Sequence, residues 1–87
     1  FDECTTGFRQ CFGGLHKLIN INPDMAIFGK ALGNGYAITA ILRKESIMDS
    51  AKKSFISSTF WTDRIGPVAA LKTLEIMERK KSWRRMY

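Results

Sequence analysis

With 87 residues the chain holds one domain at most, and a domain of that size buries only about 60–65% of the surface its unfolded form exposes, so its stability margin is thin. The net charge of +6 is concentrated, because Arg79, Lys80, Lys81, Arg84 and Arg85 crowd the last nine positions and leave a nearly neutral body, a pattern that reads as a solvated helix end rather than a nucleic-acid site. Two cysteines, Cys4 and Cys11, with a single His16 nearby lack zinc-finger spacing, and no apolar stretch approaches the roughly 20 residues of a membrane-spanning helix, so a cytoplasmic protein with reduced thiols and no membrane contact is expected.

The chain opens on Phe1 rather than methionine, with a motif already under way at Asp2, and is expected to be a piece of something longer. Asp2 follows what would be the end of a strand, a place where doubly wound sheets carry functional side chains. Residues 9–19, with Gly13-Gly14 inside them, fit either a loop or a short helix. After the turn-forming Asn22-Pro23-Asp24 comes Met25-Ala26-Ile27-Phe28, an unbroken apolar run, and residues 36–42 are nearly as continuous. Runs without polar alternation predict strands covered on both faces, as in a parallel sheet.

Residues 45–53 alternate charged and apolar positions at helical spacing, with Ile47, Met48 and Ala51 able to share a face, and predict a short surface helix. Residues 55–60 read as a third, more polar strand. From 65 to 81 the pattern is clearest: Val68, Leu71, Leu74 and Met77 recur at intervals of three, Asp63 stands where an N-cap belongs, and Pro67 is tolerable in the first turn. Strand-like and helix-like stretches thus alternate, which predicts α/β architecture in a single domain spanning 1–87.

Lys30 follows the apolar strand, and glycines at 29, 33 and 35 remove side chains that would crowd anything beside it. A free lysine amine has a pKa of about 10.4 and is chemically idle at neutral pH, but a lysine in a partly buried site with an aldehyde partner can form a Schiff base. Asp2 lies 28 positions upstream (30 − 2), and a buried carboxylate needs a cationic or hydrogen-bonding partner, such as a protonated pyridine nitrogen. A solvated turn lysine and a turn-capping aspartate are the plainer readings of the same two residues. A phosphate-binding P-loop is excluded by spacing, since Asp24 stands five before Gly29 and Ala31 follows Lys30. A dinucleotide fingerprint fails at Ile38, three places after Gly35.

The blocks Asp2-Glu3-Cys4-Thr5-Thr6-Gly7-Phe8-Arg9, Pro23-Asp24-Met25, Gly29-Lys30-Ala31-Leu32-Gly33-Asn34-Gly35 and Thr39-Ala40 resemble the central part of the class III, fold-type-I aminotransferases that depend on pyridoxal phosphate. Within that family the glutamate-1-semialdehyde aminomutase branch looks closest. The likeness runs on through Ser58-Thr59-Phe60-Trp61 and the helix from Ile65, and so covers nearly the whole chain.

The resemblance implies a fragment of a mainly parallel, three-layer large domain that binds pyridoxal 5′-phosphate. It implies that Lys30 forms the Schiff base with the cofactor and then shuttles a proton, and that Asp2 keeps the pyridine nitrogen protonated. Cys4 occupies a place where the family usually packs valine on the ring. Thr59, with Thr62 as a competitor, resembles a threonine that reaches the cofactor phosphate of a neighbouring subunit, which implies a homodimer. Asn34 and Tyr36 depart from the family's commoner pattern and shape either the substrate pocket or only the turn. The substrates implied are a small-molecule amino donor and a carbonyl acceptor, an oxo acid or aldehyde, with an intramolecular aminomutase as the near alternative. A class III enzyme is several times this length, so the isolated chain is expected to lack most of the cofactor pocket and to be inactive alone. A different class of reading is a non-catalytic truncated module whose basic tail, with Trp83 and Tyr87, contacts an acidic partner; nucleic acid is the less expected one.

Overall fold

The computed structural model describes residues 1–85. Met25–Phe28 forms strand β1 and Ala40–Arg43 forms strand β2, paired antiparallel with Met25 opposite Arg43 and Phe28 opposite Ala40. Residues 1–3 lie along the other edge of β1. The Ile27 N–H donates to the Phe1 carbonyl at 2.9 Å and the Glu3 N–H donates to the Ile27 carbonyl at 2.8 Å, making a parallel bridge between Asp2 and Ile27. Strand β1 is therefore the middle lane of three, which is why its sequence is apolar throughout.

Alternate side chains of β1 point to opposite faces, and Ala26 and Phe28 are the buried pair. They form the core with Leu32 and Ala70, against which Phe8, Ile38, Ala40 and Leu74 pack. Phe8 meets Phe28 with ring centroids 5.5 Å apart. Short 3₁₀ turns at Leu15–Lys17 and Lys30–Leu32 punctuate the first half of the chain.

Helix α1 spans Glu45–Ala51 and helix α2 spans Ile65–Lys80, close to the expected limits. The Asp63 carboxylate accepts the Ile65 N–H at 2.9 Å, so it caps α2 from one residue further out than the N-cap position, which Arg64 occupies. Lys81 closes the helix in the left-handed region at φ 50°, its N–H donating to the Met77 carbonyl at 2.7 Å. Arg79 and Lys80 lie in the last turn, where they complement the negative end of the helix dipole. Trp83, in the 3₁₀ turn Ser82–Arg85, packs on Phe12 at 5.8 Å rather than standing free; Tyr87 lies outside the described residues.

Three expectations are corrected. The second strand covers Ala40–Arg43, not 36–42, because the Tyr36 N–H is drawn back to the Gly33 carbonyl at 3.1 Å and Asn34 and Gly35 both take positive φ, so a turn consumes the first residues of the apolar run. The pair β1–β2 is antiparallel although both runs lack alternation, since the connection holds only a 3₁₀ turn and no crossover helix. Residues 55–60 form no strand. Phe55 is 94% exposed, and the Trp61 N–H donates to the Ser58 carbonyl at 3.4 Å, so the end of the segment closes into a turn.

Helix α2 buries only part of the stripe that its interval of three indicates, since Met77 is buried and Leu74 packs on the core. Gly66, Ala70 and Met77 are buried, whereas Val68 and Leu71 are 62% and 68% exposed. The buried residues are four and seven positions apart, spacings that keep side chains on one side of a helix.

Candidate active site

The parallel pairing of residues 1–3 with β1 sends Asp2 and Cys4 to one side and Glu3 to the other. The Asp2 carboxylate accepts the Cys4 N–H at 3.1 Å. That backbone bond and the Cys4 thiol, with lesser help from the Phe1 ammonium and then Lys30, hold the Asp2 carboxyl below its ordinary range against an opposing effect of burial. The same contact works in reverse on Cys4, whose thiol is pushed up first by its hydrogen bond to Asp2 and then by burial and by the carboxylate's charge. Cys4 is therefore a protonated, packing thiol at neutral pH rather than a nucleophile.

Beyond the end of β1 the chain turns at Gly29, where a Cβ would lie 3.4 Å from Cys4 Sγ and 3.6 Å from Thr39 Cγ2. Cys4 and Thr39 thus converge over a backbone with no side chain of its own. Lys30 follows with φ 38°, a conformation that costs a non-glycine residue about 1–2 kcal/mol. Its amine is exposed and donates to the Thr5 hydroxyl at 2.8 Å. Among the described residues Lys30 takes part in no ion pair.

Glu3, on the opposite side of the same arm, is only 3% exposed. Its carboxylate accepts the Thr6 hydroxyl at 3.0 Å, the Leu15 N–H and pairs with the His16 ring nitrogen Nδ1. Burial is the largest influence on this group and raises its pKa, but the His16, Leu15 and Thr6 bonds prevail and leave it below the ordinary value. The carboxylate thereby ties the 1–7 arm to the loop that ends at His16. Gly7 makes the arm's close approach to the core possible: a Cβ there would stand 2.5 Å from Phe28 Cδ1 and 2.7 Å from the Glu3 carbonyl.

Asp2, Cys4 and Lys30, singled out from the sequence, are thus brought to one end of β1. Thr59 is not: it lies exposed in the turn-rich segment before α2, as does Thr62, and no hydrogen bond among the described residues joins either to Lys30. Asn34 and Tyr36 line an open cleft of about 390 Å³ against Lys72, Thr73 and Met77 of α2, a cleft that Asp2, Cys4 and Lys30 do not line. Two features of the site escape sequence reasoning. Thr5 as the partner of the Lys30 amine depends on the parallel bridge that sets the arm beside β1, and the Glu3–His16 pair spans 13 positions with no motif linking them. Alternation along the arm does mark Glu3 as facing away from Asp2 and Cys4.

The profile of the class-III aminotransferases matches residues 1–86. The chain is 51% identical over 82 residues to the 3-aminobutyryl-CoA aminotransferase of Cloacimonas acidaminovorans, covering 93% of this chain and 20% of that protein. It is 39% identical over 83 residues to the glutamate-1-semialdehyde 2,1-aminomutase of Sulfolobus acidocaldarius, covering 92% and 20%. Among solved structures, the FumI protein of Sphingopyxis sp. MTA144, in its PLP internal aldimine form, superposes with a TM-score of 0.83 at 32% identity over 88% of this chain and 19% of its own. The ornithine delta-aminotransferase of Plasmodium falciparum superposes with a TM-score of 0.79 at 28% identity over 92% of this chain and 21% of its own. The chain spans about a fifth of the length of the curated relatives it matches. With the α/β fold, the profile over almost every residue and relatives above 30% identity in agreement, the chain belongs to the class-III aminotransferase family.

Proposed function

We propose that this chain is the lysine-bearing part of the large domain of a pyridoxal-phosphate-dependent aminotransferase, with residues 1–87 an incomplete domain. The observation that carries it is the convergence of an exposed amine at Lys30, a carboxylate held ionised at Asp2 and a small-residue surface at Cys4 and Gly29 on one end of β1. The donor set fits the cofactor. An ionised carboxylate suits a protonated pyridine nitrogen, an amine in no ion pair among the described residues suits an aldehyde, and the small side chains about Gly29 suit an aromatic ring. When bound, pyridoxal phosphate supplies the electron sink that lets an amino group be moved.

The residues of the chain do the rest. Lys30 Nζ is the amine that would hold the cofactor by its aldehyde, and it would hold and return a proton at that nitrogen. Asp2 Oδ1 keeps its charge through the Cys4 N–H and so favours the protonated form of a facing base. Cys4 Sγ packs, and its raised pKa keeps it from competing with Lys30 as a nucleophile. Thr59 is assigned to the phosphate of a second subunit's cofactor, which makes the whole protein a homodimer; its exposure, away from Lys30, supports a contact outside its own protomer. The two unpaired thiols, Cys4 and Cys11, support a cytoplasmic setting.

The substrates are a small-molecule amino donor and an oxo acid or aldehyde acceptor. The alternative aminomutase reading, an amino group shifted within one molecule, draws support from the relatives named for that reaction at 39% and 38% identity, against 51% for one named an aminotransferase. Product analysis separates the two, since only transfer needs a second substrate.

The test is made on the protein that carries this segment at full family length. Pyridoxal phosphate should give an absorption band near the visible edge, and borohydride reduction followed by peptide mapping should leave the cofactor's mass on the peptide containing Lys30. Lys30→Ala should lose both and lower turnover by on the order of 10³-fold or more. A variant that retains the covalent cofactor overturns the assignment.

A further inference from the structure

We infer that Thr5 is the positioning residue for the Lys30 amine: its hydroxyl aims Nζ at the cofactor's aldehyde before attachment and retains it after release. The inference rests on the reading of Lys30 as the cofactor-bearing lysine and adds a role that this reading does not contain.

Three observations converge on it. The Lys30 Nζ to Thr5 Oγ1 bond at 2.8 Å spans 25 positions of sequence and joins two different segments, so it is set by the tertiary fold and not by a local turn. Lys30 holds φ 38°, a backbone state that disfavours any side chain, and it is the residue at which the chain leaves β1 for the following 3₁₀ turn. The arm bearing Thr5 is itself fixed on both sides of that residue, by the Cys4 N–H on Asp2 and by the Thr6 hydroxyl on the buried Glu3 carboxylate. A lysine side chain has four rotatable bonds, and an anchored partner removes freedom that otherwise opposes a productive approach.

A hydroxyl also suits the task chemically. It accepts from an ammonium or amine N–H and can turn to donate to an amine lone pair, so it remains a partner in both protonation states of the lysine. A carboxylate accepts only, and would favour the charged, non-nucleophilic form. Among the described residues Nζ donates to the Thr5 hydroxyl and not to Asp2.

In the attachment step the lone pair of Nζ forms the bond to the aldehyde carbon, and the carbonyl oxygen leaves as water with the two amine protons. Thr5 is unchanged by it. Its effect is on how often Nζ is in reach, not on how firmly the rest of the site holds the cofactor.

The experiment compares wild type, Thr5→Val and Thr5→Ser in the complete protein, freed of cofactor. The rate of the covalent absorbance change on adding pyridoxal phosphate should fall about tenfold or more in Thr5→Val and return to within about threefold of wild type in Thr5→Ser, which restores the hydroxyl. Affinity for pyridoxamine phosphate, which has no aldehyde and cannot attach, should change by less than about threefold in both. An unchanged attachment rate in Thr5→Val, or an equal loss of pyridoxamine phosphate affinity, overturns the role of Thr5. Covalent attachment that persists in Lys30→Ala instead overturns the underlying reading, so the two failures are told apart.

Discussion

Glu3 puts a carboxylate almost wholly out of water, and only its three hydrogen-bond donors make that tolerable. Its pKa in the folded chain lies below its ordinary value near 4.5. A group depressed in this way contributes stability that is fully present above the unfolded value and is lost as pH falls through the folded one. Denaturant midpoints of the protein carrying this segment should therefore fall as pH drops below about 4.5, where the unfolded carboxyl begins to take up protons. Glu3→Gln should flatten that acid limb and cost about 1–3 kcal/mol at neutral pH, because His16 and the Leu15 N–H lose a charged acceptor. An acid limb unchanged by the substitution would assign it to other carboxylates. At the same scale, Asp2 and Lys30 stood out through the blocks that resemble a known family, and the fold brings both to the same end of β1. Thr5 did not, since a threonine beside another threonine carries no signal until the arm is laid along β1.

Among the elements, β1 was readable nearly to the residue, because four apolar side chains after an Asn-Pro-Asp turn admit few other structures. Helix α2 was readable in extent but only partly in orientation, since Leu74 and Met77 of its expected stripe face the core and Val68 and Leu71 do not. Val68 and Leu71 fit an apolar stripe as well as Gly66 and Ala70 do, and the small residues win the core because the helix must come close to the segment before β2: a Cβ on Gly66 would lie 2.8 Å from the Ala37 carbonyl. Ala70 sits against Ala26, Phe28 and Leu32 with 7% exposure. Ala70→Leu should accordingly destabilise the protein by about 1–3 kcal/mol through overpacking, read as a lower midpoint in urea unfolding with an unchanged slope. The segment 55–60 was misread because β-branched and aromatic residues favour a strand only where an edge is available to pair with, and none meets it among the described residues.

For the molecule as a whole, the radius of gyration of 13.8 Å exceeds the roughly 12 Å expected of a compact domain of this length. The extents of 42 × 32 × 18 Å describe a slab, about two layers of secondary structure thick. One consequence is extensive apolar exposure: Phe55, Trp61, Ile65, Val68 and Leu71 are each more than half exposed, and the last three lie on the same helix. The 87-residue chain expressed alone should therefore self-associate and bind a hydrophobic dye such as ANS, and the double change Val68→Ser with Leu71→Ser should reduce both. A monodisperse, dye-silent monomer by light scattering would show that the slab covers this surface by itself.

The sequence alone determined the class of architecture, the apolar middle strand, the long helix and the family resemblance that singles out Asp2 and Lys30, because each of these is written in neighbouring residues. The tertiary structure decided which lysine partner is in reach, which face of α2 is buried and that the strands flanking β1 run in opposite senses. Those depend on contacts between segments far apart in the chain, and the periodicity of a segment constrains its own shape but not which other segment lies beside it.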